Sequence, residues 1–219
     1  MTPAVLTATL AATLAGGLIG EHQRRRLTTL AYRYPEETPD VWPLPGPRRW
    51  VPVCLAATLG LLTWRYTSIG GAAHLLHLVP LALAAPWLAA VDVDVHRLPY
   101  RTTVATLIAS VAGLLGLVAL TGQWQLAGGG ALGWVIAHGA FWALHKIGGG
   151  MGYGDVRLAG LIGLTTAPLG IHAPIAAFLI GTLAATAWAL TRPRDPAARY
   201  AYGPWLLLGW TTAILLATL

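Results

Sequence analysis

The sequence predicts an all-α protein: a polytopic membrane helix bundle of about eight transmembrane helices, with the N- and C-termini outside. Three observations carry this expectation. Of the 219 residues, 56% are hydrophobic and 10% are charged, whereas an ordinary soluble domain carries roughly 25% charged residues. The apolar residues fall in long runs, and eight spans of roughly 20 residues leave about 60 positions for connections and ends, too few for a large soluble domain. Thirteen of the fourteen basic residues fall at alternate connections between those runs, as the positive-inside rule requires of an even number of spans.

The first run, at 3–20, has no basic residue before it and Arg24, Arg25 and Arg26 after it. It therefore reads as a retained span rather than a cleaved signal peptide. The Pro-rich linker 21–49 is too short for an independent domain, so 1–49 forms one unit and 50–219 the membrane core. Within the core the runs lie at 50–64, 71–91, 102–121, 126–147, 156–170, 173–191 and 203–219. The linker carries Arg24, Arg25, Arg26, Arg33, Arg48 and Arg49. Arg97 and Arg101 lie between the third and fourth runs, Lys146 and Arg157 flank the next such gap, and Arg192, Arg194 and Arg199 lie between the seventh and eighth. Only Arg65 falls on the other side. The same charges, scattered among spans, form no basic domain, so the net charge of +6 gives no sign of nucleic-acid binding. Cys54, the single cysteine, makes neither an internal disulfide nor a Cys-rich zinc site.

Eight carboxylate side chains remain to be explained. Glu21, Glu36, Glu37, Asp40 and Asp195 lie among arginines and read as solvated loop charges. Asp92, Asp94 and Asp155 differ: the first two follow the run PLALAAPWLAAV, and the third closes GGGMGYGD just before VRLAGLIG. A charge at a membrane-helix end still loses hydration and needs a reason to be there. Between Asp92 and Asp155 lie 62 residues, enough for one outward and one returning span, so both carboxylates emerge at the same face. Two aspartates sharing a proton form a general acid/base pair that hydrolyses a peptide bond through an activated water, without a metal or a covalent nucleophile. Gly148, Gly149, Gly150, Gly152 and Gly154 precede Asp155. A backbone so free of Cβ atoms bends sharply and admits an extended substrate, although a flexible loop with Asp155 capping the next helix also accounts for it.

These residues resemble the type IV prepilin peptidase family of GxGD membrane aspartic peptidases, in a short form that lacks the cysteine zinc motif. The resemblance rests on D-x-D-x-x-x-L-P at Asp92 to Pro99, on Gly152-Tyr153-Gly154-Asp155 followed by Arg157 and Leu158, and on Tyr202-Gly203-Pro204-Trp205-Leu206 with Gly209 and Trp210. It covers roughly 70–219. It implies that Asp92 and Asp155 are catalytic, with Asp94, Pro99, Gly152, Tyr153, Gly154, Arg157, Gly203 and Pro204 supporting the site or binding substrate. The implied partners are membrane lipid and a prepilin or pseudopilin whose basic leader is cut at the cytosolic face of the bacterial inner membrane. Peptidase activity of this type needs no cofactor and no metal. Many members also methylate the product with S-adenosylmethionine and carry two Cys-x-x-Cys pairs; the absence of those pairs argues against that second activity. Two further positions depart from the family pattern: Tyr100 stands where relatives often have Asp or Asn, and Arg157 where they usually have Lys.

Asp94 would hold a water or the basic leader, or simply be solvated, and His96 reads as a structural residue. His74 and His77 have helical spacing without a third ligand, as do His138 and His145, so no metal site follows. GGGALG in the fifth run reads as close helix packing. The main rival to a peptidase is an ion-coupled transporter with Asp92 and Asp155 as ion-binding carboxylates. Transport sites, however, favour the bilayer midplane, and these residues fall at helix ends.

Overall fold

The computed structural model describes residues 2–40, 42–148, 151–191 and 200–218. Eight α-helices and two short 3-10 turns, with no strand, make up its regular structure among the described residues. Gly149, Gly150, Arg192, Arg194, Asp195 and Arg199 lie outside those residues.

The helices α1 (Pro3–Thr28) and α2 (Trp50–Ser68) form a hairpin. Thr2 caps the start of α1 by accepting the Val5 N–H, and Pro3 occupies the first turn, where an N–H has no helical partner. Gly16 and Gly20 let α1 settle onto α2: a Cβ on Gly16 would lie 2.8 Å from the Leu55 carbonyl oxygen, and one on Gly20 2.5 Å from the Pro52 Cα. This G-x-x-x-G approach is a usual membrane-helix contact. The opposite face of α1 carries Leu6, Leu10, Leu14 and Leu18, all exposed. A row of bare leucine suits hydrocarbon rather than water.

The core elements are α3 (Leu75–Val95), led in by a 3-10 turn at Ala72–His74, α4 (Tyr100–Thr121), α5 (Trp124–Gly148), α6 (Tyr153–Thr166), α7 (His172–Leu190) and α8 (Gly203–Leu216). Four stretches are long and apolar enough to cross a membrane: Pro3–Thr28, Ala72–Val95, Tyr100–Thr121 and His172–Leu190. The chain is accordingly described as a membrane protein. Among the remaining helices, α6 and α8 have only 14 residues each. The 14 residues of α6 rise only about 21 Å, and α6 is buried throughout from Leu158 to Thr166, shielded by its neighbours rather than by lipid. GGGALG does serve packing: Gly133 of α5 and Gly163 of α6 each leave no room for a Cβ against the other's backbone carbonyl.

Helices consecutive in the chain run in opposite directions, as the contacts of Gly16 with Leu55, Gly113 with Leu76, Gly133 with Gly163 and Gly181 with Trp205 show. At one end Arg65, near the end of α2, donates to the carbonyls of Leu215 in the last turn of α8 and of Ala217 just after it, and the Tyr66 hydroxyl donates to the Ile214 carbonyl. His77 of α3 there bonds the carbonyl of Thr165, at the end of α6, and the indole of the fully buried Trp210 donates to the Thr165 hydroxyl. At the other end α4, α6 and α8 begin and α3 finishes. This end collects the candidate site.

Four helices differ most in their bounds from the sequence expectation: α6 runs over Tyr153–Thr166 rather than 156–170, which puts Asp155 inside its first turn, and three helices run on past their expected ends. The first helix runs on to Thr28, so Arg24, Arg25 and Arg26 are helical, and Glu21 pairs with Arg24 and Arg25 one turn away. The second continues past residue 64 to Ser68. The third continues to Val95, which places Asp92 and Asp94 inside its last turn.

Candidate active site

The C-terminus of α3 fixes the geometry. His96 adopts a left-handed conformation (φ 48°) and returns its N–H to the Asp92 carbonyl at 2.9 Å, which ends the helix. Leu98 and Pro99 then carry the chain into α4, with Pro99 at its N-cap. Because successive helical residues turn by 100°, Asp92 and Asp94 point to nearly opposite sides of α3. Asp92 faces the bundle interior and is 4% exposed.

Its partner is the first residue of α8. A helix start leaves its first N–H groups without helical acceptors. In α8 Pro204 has none to offer, and Trp205 and Leu206 donate to the Tyr202 carbonyl. The Gly203 N–H remains, and it donates to Asp92 Oδ2 at 2.9 Å. Glycine is required here by close approach, since a Cβ on Gly203 would lie 2.8 Å from that same oxygen.

Asp155 sits in the first turn of α6, where its own N–H donates to the Gly152 carbonyl at 3.1 Å. A Cβ on Gly152 would stand 3.4 Å from Asp155 Oδ2, and one on Gly154 would stand 3.0 Å from the Leu98 Cβ. Leu98 also reaches Gly203, so one leucine packs against the starts of both α6 and α8. Through that leucine the first turn of α6, with Asp155, and the first residue of α8, which holds Asp92, share one end of the bundle. The Tyr202 hydroxyl shares a hydrogen bond with Thr182 at 2.8 Å, and its ring stacks near Phe141.

The other expected site residues divide. Gly152, Gly154 and Gly203 belong to the immediate surroundings of the two carboxylates. Pro204 lines an adjoining cavity of about 500 Å³ with Val93, His96, Trp188, Tyr200 and Trp205. Tyr153 points between His138 and His145, edge-on to both rings. Arg157 lies over the rings of Tyr100 and Tyr153. A second cavity of about 430 Å³, between α4, α5 and α6, is lined by Leu107, Val111, Trp134, Leu164 and other apolar residues; it brings no ionisable group to bear on chemistry.

Asp94 is a correction. It is neither solvated nor available to a substrate: its side chain is 3% exposed, and it forms a two-point pair with Arg33 at 2.7 and 3.0 Å, lies 3.2 Å from Arg48, and accepts the Tyr32 hydroxyl. Glu37 is another. Instead of a loose loop charge it makes a two-point pair with Arg97 at 2.7 and 2.9 Å, which holds its carboxyl below the usual carboxylate range. Both pairs join residues some sixty positions apart, a distance at which local spacing gives no signal.

His145, set aside as a metal ligand, has a different role: its Nδ1 lies 2.6 Å from the Met151 carbonyl oxygen, in the turn that leads to Asp155. His138 stacks on Trp134 with ring centroids 4.7 Å apart. Among the described residues no cluster of His, Cys, Asp or Glu could hold a metal ion. No protein-family model, curated protein or solved structure matches the chain.

Proposed function

We propose that the protein is a leader peptidase for type IV prepilins or pseudopilins, with Asp92 and Asp155 as the acid/base pair. The observation that carries this reading is the placement of two carboxylates from separate helices at one end of the bundle, about Leu98 and the glycines at 152, 154 and 203. One ionised carboxylate takes a proton from a water as its oxygen attacks the scissile carbonyl carbon. The other, protonated, donates its proton to the carbonyl oxygen; as the C–N bond breaks it takes a proton back from the diol so formed, and the first carboxyl passes the water's proton to the leaving nitrogen. Neither step needs a cofactor.

The reading includes eight spans with both termini outside and the site facing the cytosol of a bacterial inner membrane. The alternation of helix directions supports it, as does the gathering of Arg33, Arg48, Arg97, Arg101 and Arg157 toward the end that holds the aspartates. A substrate's apolar helix would remain in the lipid while its basic leader lies at the surface. The cavity beside Asp92, walled by Trp188, Tyr200 and Trp205, is large enough to take a bulky side chain next to the cut. The position of both aspartates at helix ends favours a peptidase over an ion-coupled transporter.

The test is co-expression with a prepilin encoded nearby, following leader removal by mass for wild type, Asp92→Asn and Asp155→Asn at equal membrane abundance. Cleavage by wild type and its loss in both variants is the expected result. Unchanged cleavage in both variants overturns the mechanism. Failure of the wild type to cleave favours the transporter. A product heavier by one methyl group would show S-adenosylmethionine-dependent methylation despite the missing cysteine pairs.

A further inference from the structure

We propose that the linker after α1 is a working part of the active site: by gripping Asp94 and Arg97 it positions the segment 92–98, and with it Asp92 and Leu98. This rests on the peptidase reading and extends it to residues far from any motif.

A helix terminus frays unless its groups are tied down. Here the end of α3 and the following turn are held from one side by the linker. Arg33 grips both oxygens of Asp94, and it also donates to the carbonyls of Trp42 and Pro43, so the same guanidinium folds the linker and joins it to α3. Arg48 reaches Asp94, the Tyr32 hydroxyl and the Leu27 carbonyl. Three residues on, Arg97 takes the Glu37 carboxylate and the Tyr32 carbonyl, with its guanidinium 3.8 Å from the centre of the Tyr34 ring. Trp42 packs on His96, ring centroids 5.2 Å apart. Residues 94, 96 and 97 thus face the linker, whereas Asp92 and Leu98 face the starts of α6 and α8.

Two-point guanidinium–carboxylate pairs fix orientation as well as distance. Two of them on one short segment leave it little freedom to rotate. A displacement of about 1 Å at a catalytic group costs up to a hundredfold in rate, so loosening this grip should act on turnover. A role confined to overall stability would lower the amount of folded protein and leave the folded fraction fully active.

The experiment uses the full chain in lipid nanodiscs, with Arg33→Ala, Arg33→Lys, Glu37→Arg, Arg97→Glu and the exchanged pair Glu37→Arg with Arg97→Glu. Two readouts are taken: kcat and KM for leader removal from a purified prepilin, and hydrogen–deuterium exchange of the amides of 92–98. Arg33→Ala and each single charge reversal should lower kcat about tenfold or more with KM nearly constant, and should speed exchange in 92–98. Arg33→Lys, which keeps the charge but not the two-point grip, should fall between Arg33→Ala and wild type. The exchanged pair should recover most of both losses. Normal kcat in folded Arg33→Ala, or exchange in 92–98 unaltered by Arg33→Ala and Glu37→Arg, overturns the proposal. If wild type cleaves no prepilin, the peptidase reading fails by itself, and the exchange measurement still decides whether the linker holds the segment.

Discussion

The guanidinium of Arg157 lies 4.9 Å from the ring centre of Tyr100 and 5.5 Å from that of Tyr153. Tyr100 opens α4, Arg157 lies near the start of α6, and the two are neighbours in space. A flat cation between two aromatic rings suits arginine better than lysine, whose compact ammonium is more strongly hydrated. Arg157→Lys and Tyr100→Leu should each destabilise the protein, and the double variant by less than their sum, with a coupling of about 1 kcal/mol. A double-mutant cycle on unfolding in mixed micelles measures it; strict additivity would show that the two residues act separately.

Gly203→Ala should injure the site while leaving the bundle assembled. The new methyl would lie 2.8 Å from Asp92 Oδ2, pushing the carboxylate off the one N–H it accepts. The rate of leader removal should fall at least about tenfold with little change in melting temperature. A fully active Gly203→Ala would mean that Asp92 does not work from the position described.

His145 holds the turn before Asp155. A carbonyl can only accept, so Nδ1 carries the hydrogen in the 2.6 Å contact with Met151. His145→Leu should lower turnover by about the worth of one such bond, roughly 1 kcal/mol or fivefold. His145→Asn keeps a donor at similar reach and should restore most of it. Equal activity in the two variants would remove the hydrogen bond from the account.

The Glu37–Arg97 pair gives a defined pH dependence. Pairing holds the folded-state carboxyl below its ordinary value of 4.5. The unfolded chain therefore binds the proton more readily as pH falls. The resulting stability is complete above the ordinary value and is lost as pH drops through the lowered one. Wild type should exceed Glu37→Gln by about 1–2 kcal/mol near neutrality, and the gap should close on acidification below pH 4.5. A difference that is constant with pH would assign the effect to packing.

What could be read from the chain is whatever repeats locally. Apolar run length points to each of the eight helices among the described residues. The spacing of Asp92 from Asp155 brought two carboxylates to one end. The misreadings are tertiary. Asp94 looks like a solvated charge until Arg33, 61 residues earlier, is folded against it. Gly16 and Gly20 gave no signal without knowledge of which face of α1 meets α2. The bond of His145 to the Met151 carbonyl is local, but residue type and spacing give no sign of a main-chain partner.

Asp155 lies within the first turn of α6, and Asp92, itself in the last turn of α3, reaches across to the first N–H of α8. Aligned peptide dipoles give the starts of α6 and α8 a positive character, and the end of α3 a negative one, each equivalent to roughly half a charge. The electric field felt by negative charge in the cleft is therefore written into the main chain. No side-chain substitution can delete it; only sliding or tilting of α6 or α8 can change it. Residues that govern how those two helices seat, such as Gly163 and Gly209 against the backbones of α5 and α7, consequently tune the chemistry from a distance without carrying any charge themselves.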